Sequence, residues 1–162
     1  MTSTGYINQA KTSFWGTPKN IMDDYTSWFD PCPFPRPDWD GLAIDWLNKK
    51  KIYVNPPYNN ITPWAKKCAD TLEAARKENM PIEIHLLIPV RTDTSYFHQY
   101  IYPCCKIHFI KGRLKFIDLT GSSNKPTYTR HFQIWFAWIV MNEVETQVVV
   151  LIPNIFKIII IE

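Results

Sequence analysis

The hydrophobic pattern of this chain changes period along its length. Ile21, Met22, Tyr25, Trp28 and Phe29 recur at helical spacing, which predicts a helix from Pro18 to Phe29 with Thr17 as its cap. The stretch DPCPFPRPDWDG, residues 30 to 41, is too rich in proline for a regular element and reads as an ordered loop or lid. KIYV, 51 to 54, is a short β-prone run that stops at Asn55; Thr62 and Pro63 then offer a cap and first turn for a helix through Asn79. On that helix Trp64, Ala65, Cys68, Ala69, Leu72 and Ala75 share one face, with Lys66, Lys67, Asp70, Glu73 and Lys77 on the other. IEIHLLIP, 82 to 89, predicts a second strand, SYFHQYIY a short helix, and KIHFI, RLKFI, FQIWFAWIV and QVVVLI further strands. Helices alternate with strands early and strands succeed one another late. The expected fold class is therefore α/β, with a mixed sheet parallel at its centre, antiparallel strands at its edge and helices flanking it.

Composition narrows this picture only slightly. A chain of 162 residues, 46% apolar and 15% aromatic, is long enough for one real core. Residues 1 to 13 are polar and aperiodic and are expected to form a flexible arm, leaving 14 to 162 as a single domain. A net charge of +3 and a pI near 8.6 tolerate a polyanion without demanding one. Cys32, Cys68, Cys104 and Cys105 show neither disulfide nor zinc-ribbon spacing, and the N-terminal segment has no secretory pattern, so an intracellular, cytoplasmic setting is expected. VVVLIPNIFKIIII, 148 to 161, is shorter than the ~20 residues of a membrane-spanning helix and reads as two strands around a turn. Adjacent Cys104 and Cys105 would face opposite ways if extended, and His85 and His108 sit in strand patterns, so no metal site is expected.

The chemistry centres on NPPY, residues 55 to 58. Reactive groups of open α/β sheets lie at the carboxyl ends of strands, and Asn55 stands at such an end. Its side-chain carbonyl and the Pro56 peptide carbonyl are acceptors, held by a proline-stiffened loop so that both can aim at one amino group. Two acceptors on the hydrogens of an exocyclic amine favour a pyramidal nitrogen with its lone pair aimed outward, ready to attack a sulfonium methyl. Asparagine takes no proton at neutral pH, so its role is orientation and charge stabilisation. Tyr58 offers a flat face for an unstacked base, a contact typically worth ~1–3 kcal/mol. A rigid strand-to-helix connector is the plain alternative for this tetrapeptide.

NPPY after a strand resembles the D/N/S-P-P-Y/F/W signature of amino-group methyltransferases. In order, FWGTPKNIM, FDPCP, DWDGLAIDW, YVNPPYNNITPWAKKCAD, LLIPVRTDTSYFH and IKGRLKF resemble the small phage-type, Dam-like DNA N6-adenine methyltransferases over roughly residues 14 to 140. The resemblance implies a Rossmann-like fold, S-adenosylmethionine as cofactor and double-stranded DNA as partner. It implies that Asn55, Pro56, Pro57 and Tyr58 form the catalytic tetrad. It also implies that Thr17 and Pro18 lie near the methionine end of the cofactor, Asp30 meets the cofactor after the first strand, and Asp40 lies near its adenine. The chain departs from the pattern in lacking a glycine-rich turn. Asp30 and Asp40 are also nearly adjacent, where the family often has about 20 or more residues between these motifs, the size of a βα unit. A reduced version of the fold is expected.

Arg91, at a strand end like Asn55, is a candidate phosphate contact, as are Lys111, Arg113, Lys125 and Arg130 in the basic segment that follows. A helix-cap neighbourhood for Arg91 and a solvated hairpin for the others are the plain readings. Specificity in so small a chain is expected to be short or supplied by a second copy, so a homodimer is one expected arrangement. The tetrad equally suits cytosine N4, an RNA adenine or a glutamine amide, and a catalytically silent nucleic-acid-binding relative is the rival of a different class.

Overall fold

Lys51–Val54 (β2) and Ile82–Pro89 (β3) pair in parallel in a computed structural model that describes residues 15–111, 114–118, 127–129, 131–138, 151–152 and 155–156. Preceding them are the two-residue strand Trp15–Gly16 (β1) and the short helix Lys19–Met22 (α1). Thr62–Lys77 (α2) joins β2 to β3. After β3 come a π-helical turn at Phe97–Ile101 and the strands Lys106–Phe109 (β4), Leu114–Asp118 (β5), Thr127–Thr129 (β6) and His131–Trp138 (β7). Leu151–Ile152 (β8) and Ile155–Phe156 (β9) pair antiparallel, within the stretch 148 to 161 that the sequence reads as two strands.

The main sheet runs β2-β3-β7-β4. Both β3 and β4 pair antiparallel with β7, so β4 runs in the same direction as β3. The antiparallel strand thus lies inside the sheet and not at its edge, which corrects the sequence-based expectation. Strand composition explains the arrangement: β2 and β3 are nearly continuous apolar runs because both of their faces are covered. Ile52, Val54, Ile84, Leu86 and Ile88 pack with α2 residues Trp64, Ala65, Cys68, Leu72 and Ala75. On the other face Tyr53 and Leu87 pack with Tyr25, Leu114 and Phe116. There β5 forms a second, three-stranded sheet in the order β1-β5-β6.

Several predicted boundaries move. Helix one is expected to reach Phe29 but ends at Met22 and passes into a 3-10 turn at Asp23–Tyr25. The sheet claims the remainder: Phe29 N–H donates to the Lys51 carbonyl at 3.0 Å and its own carbonyl accepts from Tyr53 N–H at 2.9 Å, a one-residue parallel bridge beside β2. Pro18, and not Thr17, holds the cap position, with no side-chain capping bond. In α2 the cap is Ile61, one residue before the expected Thr62, and the helix closes through Asn79 at φ 54, a left-handed terminus that asparagine tolerates. Trp46 and Trp64 are core residues, with Trp46 Nε1 donating to the Gly41 carbonyl at 2.8 Å. No helix or strand occurs between Asp30 and Trp46, so the chain returns from the Phe29 bridge to β2 without a βα unit. The expected arm, residues 1 to 13, and the first four residues of the predicted strand QVVVLI, 147 to 150, lie outside the described residues.

Candidate active site at the carboxyl rim of the sheet

Strand directions decide which residues can meet. Phe29 pairs in parallel with Ile52, and Val54 stands level with Leu86. Ile88 of β3 and Phe109 of β4 are both opposite Phe132 of β7. Asp30, Asn55, Arg91 and Lys111 consequently all leave the sheet at one rim, the carboxyl ends of the parallel-running strands, where clefts of open α/β sheets form. Arg91 and Lys111 are both exposed there. Arg113, Lys125 and Arg130 lie outside the described residues.

Val54 turns its side chain to the α2 face, so alternation sends Asn55 to the opposite side, toward Tyr53 and the N-terminal segment. Thr17 meets it there. Asn55 Nδ2 donates to Thr17 Oγ1 at 3.0 Å, and Thr17 Oγ1 lies 3.0 Å from the Tyr53 hydroxyl. Tyr58 turns back and donates its hydroxyl to Asn55 Oδ1 at 2.8 Å. The proline pair makes this return possible by holding the loop stiff, and Asn60 N–H closes the turn on the Pro57 carbonyl at 3.0 Å. Among the described residues nothing donates to the Pro56 carbonyl.

The loop after Phe29 approaches from the other side. Asp30 Oδ1 accepts from Cys32 N–H at 2.8 Å, and Cys32 Sγ donates to the Asn55 main-chain carbonyl at 3.1 Å. Thr17, the Asp30–Cys32 turn and NPPY are thus three separate segments gathered on Asn55. Burial dominates the electrostatics of this cluster. It raises the Asp30 carboxyl against the lowering effect of the Cys32 amide, and it raises the Cys32 thiol, with the Asp30 charge adding to it. The Tyr53 and Tyr58 phenols are raised by burial as well, so both remain neutral hydroxyls. Tyr58 therefore meets Asn55 as a donor, and its ring stands edge-on to Phe116 with centroids 6.0 Å apart.

Asp40 is separate from this cluster. Its carboxylate is exposed and accepts from Leu42 N–H at 3.0 Å, starting the turn of the DGL segment. The neighbouring Gly41 is what the fold demands at this point: a Cβ there would lie 1.8 Å from the Pro31 carbonyl oxygen. A cleft of about 440 Å³, lined by Phe29, Trp39, Ile44, Asp45, Asn48 and Lys49, lies beside this loop. Phe29 and Trp39 stack at 6.1 Å within it, and Lys49 Nζ sits 5.0 Å from the Phe29 ring centre. None of its lining residues is among the candidates read from the sequence.

Two residues missed by sequence reasoning contribute to the main cluster. Cys32 and Tyr53 lie inside the segments FDPCP and YVNPPY but were assigned no role there; only the alternation of β2, which sends Tyr53 to the face of Asn55, marks the second. Elsewhere, Cys104 and Cys105 bring their sulfurs within 3.9 Å, contrary to the extended expectation, because Cys104 belongs to the turn before β4. Among the described residues no group of three or more His, Cys, Asp or Glu side chains could hold a metal ion, and no helix is long and apolar enough to cross a membrane. His85 is a satisfied structural histidine, 2.8 Å from the Tyr25 hydroxyl through Nδ1 and 3.0 Å from Glu83 Oε1 through Nε2.

No curated protein and no solved structure matches the chain. The model of the DNA N-6-adenine-methyltransferase (Dam) family matches residues 31–143, a span that begins in the Asp30 turn and includes the DGL segment, NPPY, α2, β3 and β4. On that match over most of its length, the chain belongs to the DNA N-6-adenine-methyltransferase (Dam) family.

Proposed function

We propose that this chain transfers a methyl group from S-adenosylmethionine to N6 of an adenine flipped out of double-stranded DNA, on a reduced Rossmann-like sheet. The observation that carries the reading is the convergence of Thr17, the Asp30–Cys32 turn and NPPY on one asparagine at the carboxyl rim. Family membership supplies the activity class. The exposed Arg91 and Lys111 at the same rim support a polyanionic partner.

The residues at hand suit the cofactor by their chemistry. Asp30 and Thr17 give a buried carboxyl and a hydroxyl beside the tetrad, with Pro18 adjoining them. The cleft beside Phe29 and Trp39, next to Asp40, has the size of a small-ligand pocket and offers an aromatic wall to an adenosine portion. When bound, S-adenosylmethionine supplies an electrophilic methyl group on a sulfonium. The chain's own part is orientation. Asn55 Oδ1 and the Pro56 carbonyl accept from the two hydrogens of the substrate amine, aim its lone pair outward and stabilise the positive charge that develops on nitrogen. Tyr58 occupies one lone-pair direction of Oδ1 through its hydroxyl and leaves the second for the amine. Its ring, and that of the neighbouring Phe116, give the extruded base an apolar boundary.

The test is a transfer assay with tritiated S-adenosylmethionine and, in parallel, unmethylated double-stranded DNA, RNA and a protein acceptor, with Asn55→Ala as control. Label in DNA that vanishes in the variant is the expected result. Label confined to RNA, to protein or to cytosine overturns the substrate assignment, and cofactor-independent DNA binding with no transfer identifies a silent relative.

A further inference from the structure

We propose that Tyr53 is a positioning residue for this site: acting through Thr17, its hydroxyl decides which end of the Asn55 carboxamide faces the substrate amine. The inference rests on the methyl-transfer reading for its consequence and on hydrogen-bond geometry for its mechanism. The two ends of an asparagine amide are nearly equal in size and opposite in function. Turned by half a rotation, Asn55 would present a donor to an amine that already has two hydrogens to give. Something must therefore choose the orientation.

Thr17 is the element in contact with the far end of the amide. For its Oγ1 to accept from Asn55 Nδ2, the single hydroxyl proton of Thr17 has to be directed elsewhere. Among the described residues its other partner is the Tyr53 hydroxyl at 3.0 Å. Either hydroxyl can donate in this pair; with Thr17 as the donor, a lone pair of its Oγ1 faces Asn55, and Nδ2 lies on the Thr17 side with Oδ1 on the Tyr58 side. Without Tyr53 Oη, Thr17 could turn its proton to the amide, and the reversed orientation would be satisfied equally well.

Tyr53 is built to hold its place. It is almost wholly buried, at 1% exposure, and stacks on Tyr25 with centroids 4.1 Å apart and planes at 25°. Tyr25 is fixed in turn by His85 Nδ1 at 2.8 Å, and His85 by Glu83 at 3.0 Å. A buried row of polar groups thus runs from the middle of β3 to the ring that orients the site. The row explains why the buried part of β2 carries a tyrosine and β3 a buried histidine.

The test uses Tyr53→Phe, which keeps the ring and removes Oη, in the full chain. The expected result is a fall in kcat of about tenfold with the KM for DNA moving less than twofold, since the acceptor is misoriented while the binding surface is intact. A second readout needs no cofactor. In the ¹⁵N-labelled protein the Asn55 side-chain amide, identified by its loss in Asn55→Ala, is protected from solvent exchange, and Tyr53→Phe removes that protection. Thr17→Val is the companion variant, and Thr17→Ser, which retains the hydroxyl, recovers most of the kcat that valine loses. An unchanged kcat in Tyr53→Phe, or unchanged amide protection, overturns the proposal. Wild-type protein inactive on every acceptor overturns the methyl-transfer reading instead, and the amide measurement still decides the positioning.

Discussion

Replacing Gly41 by alanine tests the loop that closes on Pro31. Ordinarily a glycine-to-alanine change in a compatible backbone stabilises by ~0.4–1 kcal/mol, because the unfolded chain loses freedom. Here steric contact reverses the sign. The added Cβ would lie 1.8 Å from the Pro31 carbonyl oxygen and 2.8 Å from its carbonyl carbon, both backbone atoms that cannot rotate away. Relaxed carbon-to-oxygen contacts are about 3.3–3.6 Å, so the DGL segment or the Asp30 turn must shift by roughly 1.5 Å. Overpacking of this kind costs ~1–3 kcal/mol. The shift also strains the bond from Trp46 Nε1 to the Gly41 carbonyl at 2.8 Å, and a hydrogen bond of this type is worth ~0.5–1.5 kcal/mol net. Against at most ~1 kcal/mol of entropic gain, the expected outcome is destabilisation of about 2–3 kcal/mol, or a Tm lower by roughly 4–12 °C for a chain of this size. Urea unfolding followed by tryptophan fluorescence measures it. An alanine variant as stable as the wild type, or more so, would refute the claim that the loop closes on Pro31.

Tyr58→Phe removes the hydroxyl that occupies one side of Asn55 Oδ1. Stability in urea should drop by about 1 kcal/mol while the KM for DNA moves less than twofold, because the amine uses the second lone pair of Oδ1; a KM that changes tenfold contradicts this. His108 is buried, and its pKa is pulled down to about 4, first by burial and then by the charges of His85 and Lys106. A histidine kept neutral in the fold contributes its full share above pH 6.5, and that share is lost as the pH falls toward 4, by at most ~3 kcal/mol. The contribution is read as the difference between wild type and His108→Gln, which cancels the opposite trend from Asp30, whose burial favours the neutral carboxyl. Two stability curves that stay parallel from pH 7 to pH 4 would contradict it.

The elements most legible in the sequence were those whose pattern is local. KIYV and IEIHLLIP carry their own period and length, and both strands have the predicted bounds. The buried face of α2 follows from its helical spacing, with Thr71 added to it because its hydroxyl is satisfied by the Lys67 carbonyl at 2.7 Å. Helix one was misjudged because the apolar spacing of Trp28 and Phe29 suits a helix equally well. What decides is the pairing of Phe29 with Lys51 and Tyr53, a contact no local window contains. The same holds at the site. NPPY was readable as a motif, and Thr17 and Asp30 through their resemblance to the family. That Thr17 bonds the asparagine, instead of capping a helix, depends on tertiary placement. At Asp40 the motif gave no hint of local structure: the residue starts a turn, and its neighbour Gly41 is fixed by a close approach to Pro31 that no local window contains.

The central claim is that Asn55 presents its amide oxygen to the exocyclic amine of adenine. It is tested most directly by incubating the protein with S-adenosylmethionine and unmethylated double-stranded DNA, digesting to nucleosides and identifying the product by mass spectrometry. N6-methyl-2′-deoxyadenosine from the wild type, reduced at least a hundredfold in Asn55→Ala with cofactor affinity retained, is the result the account predicts, on the order of the loss when one preorganised hydrogen-bonding group is removed. Methylation on any other atom, or an alanine variant as active as the wild type, would contradict it.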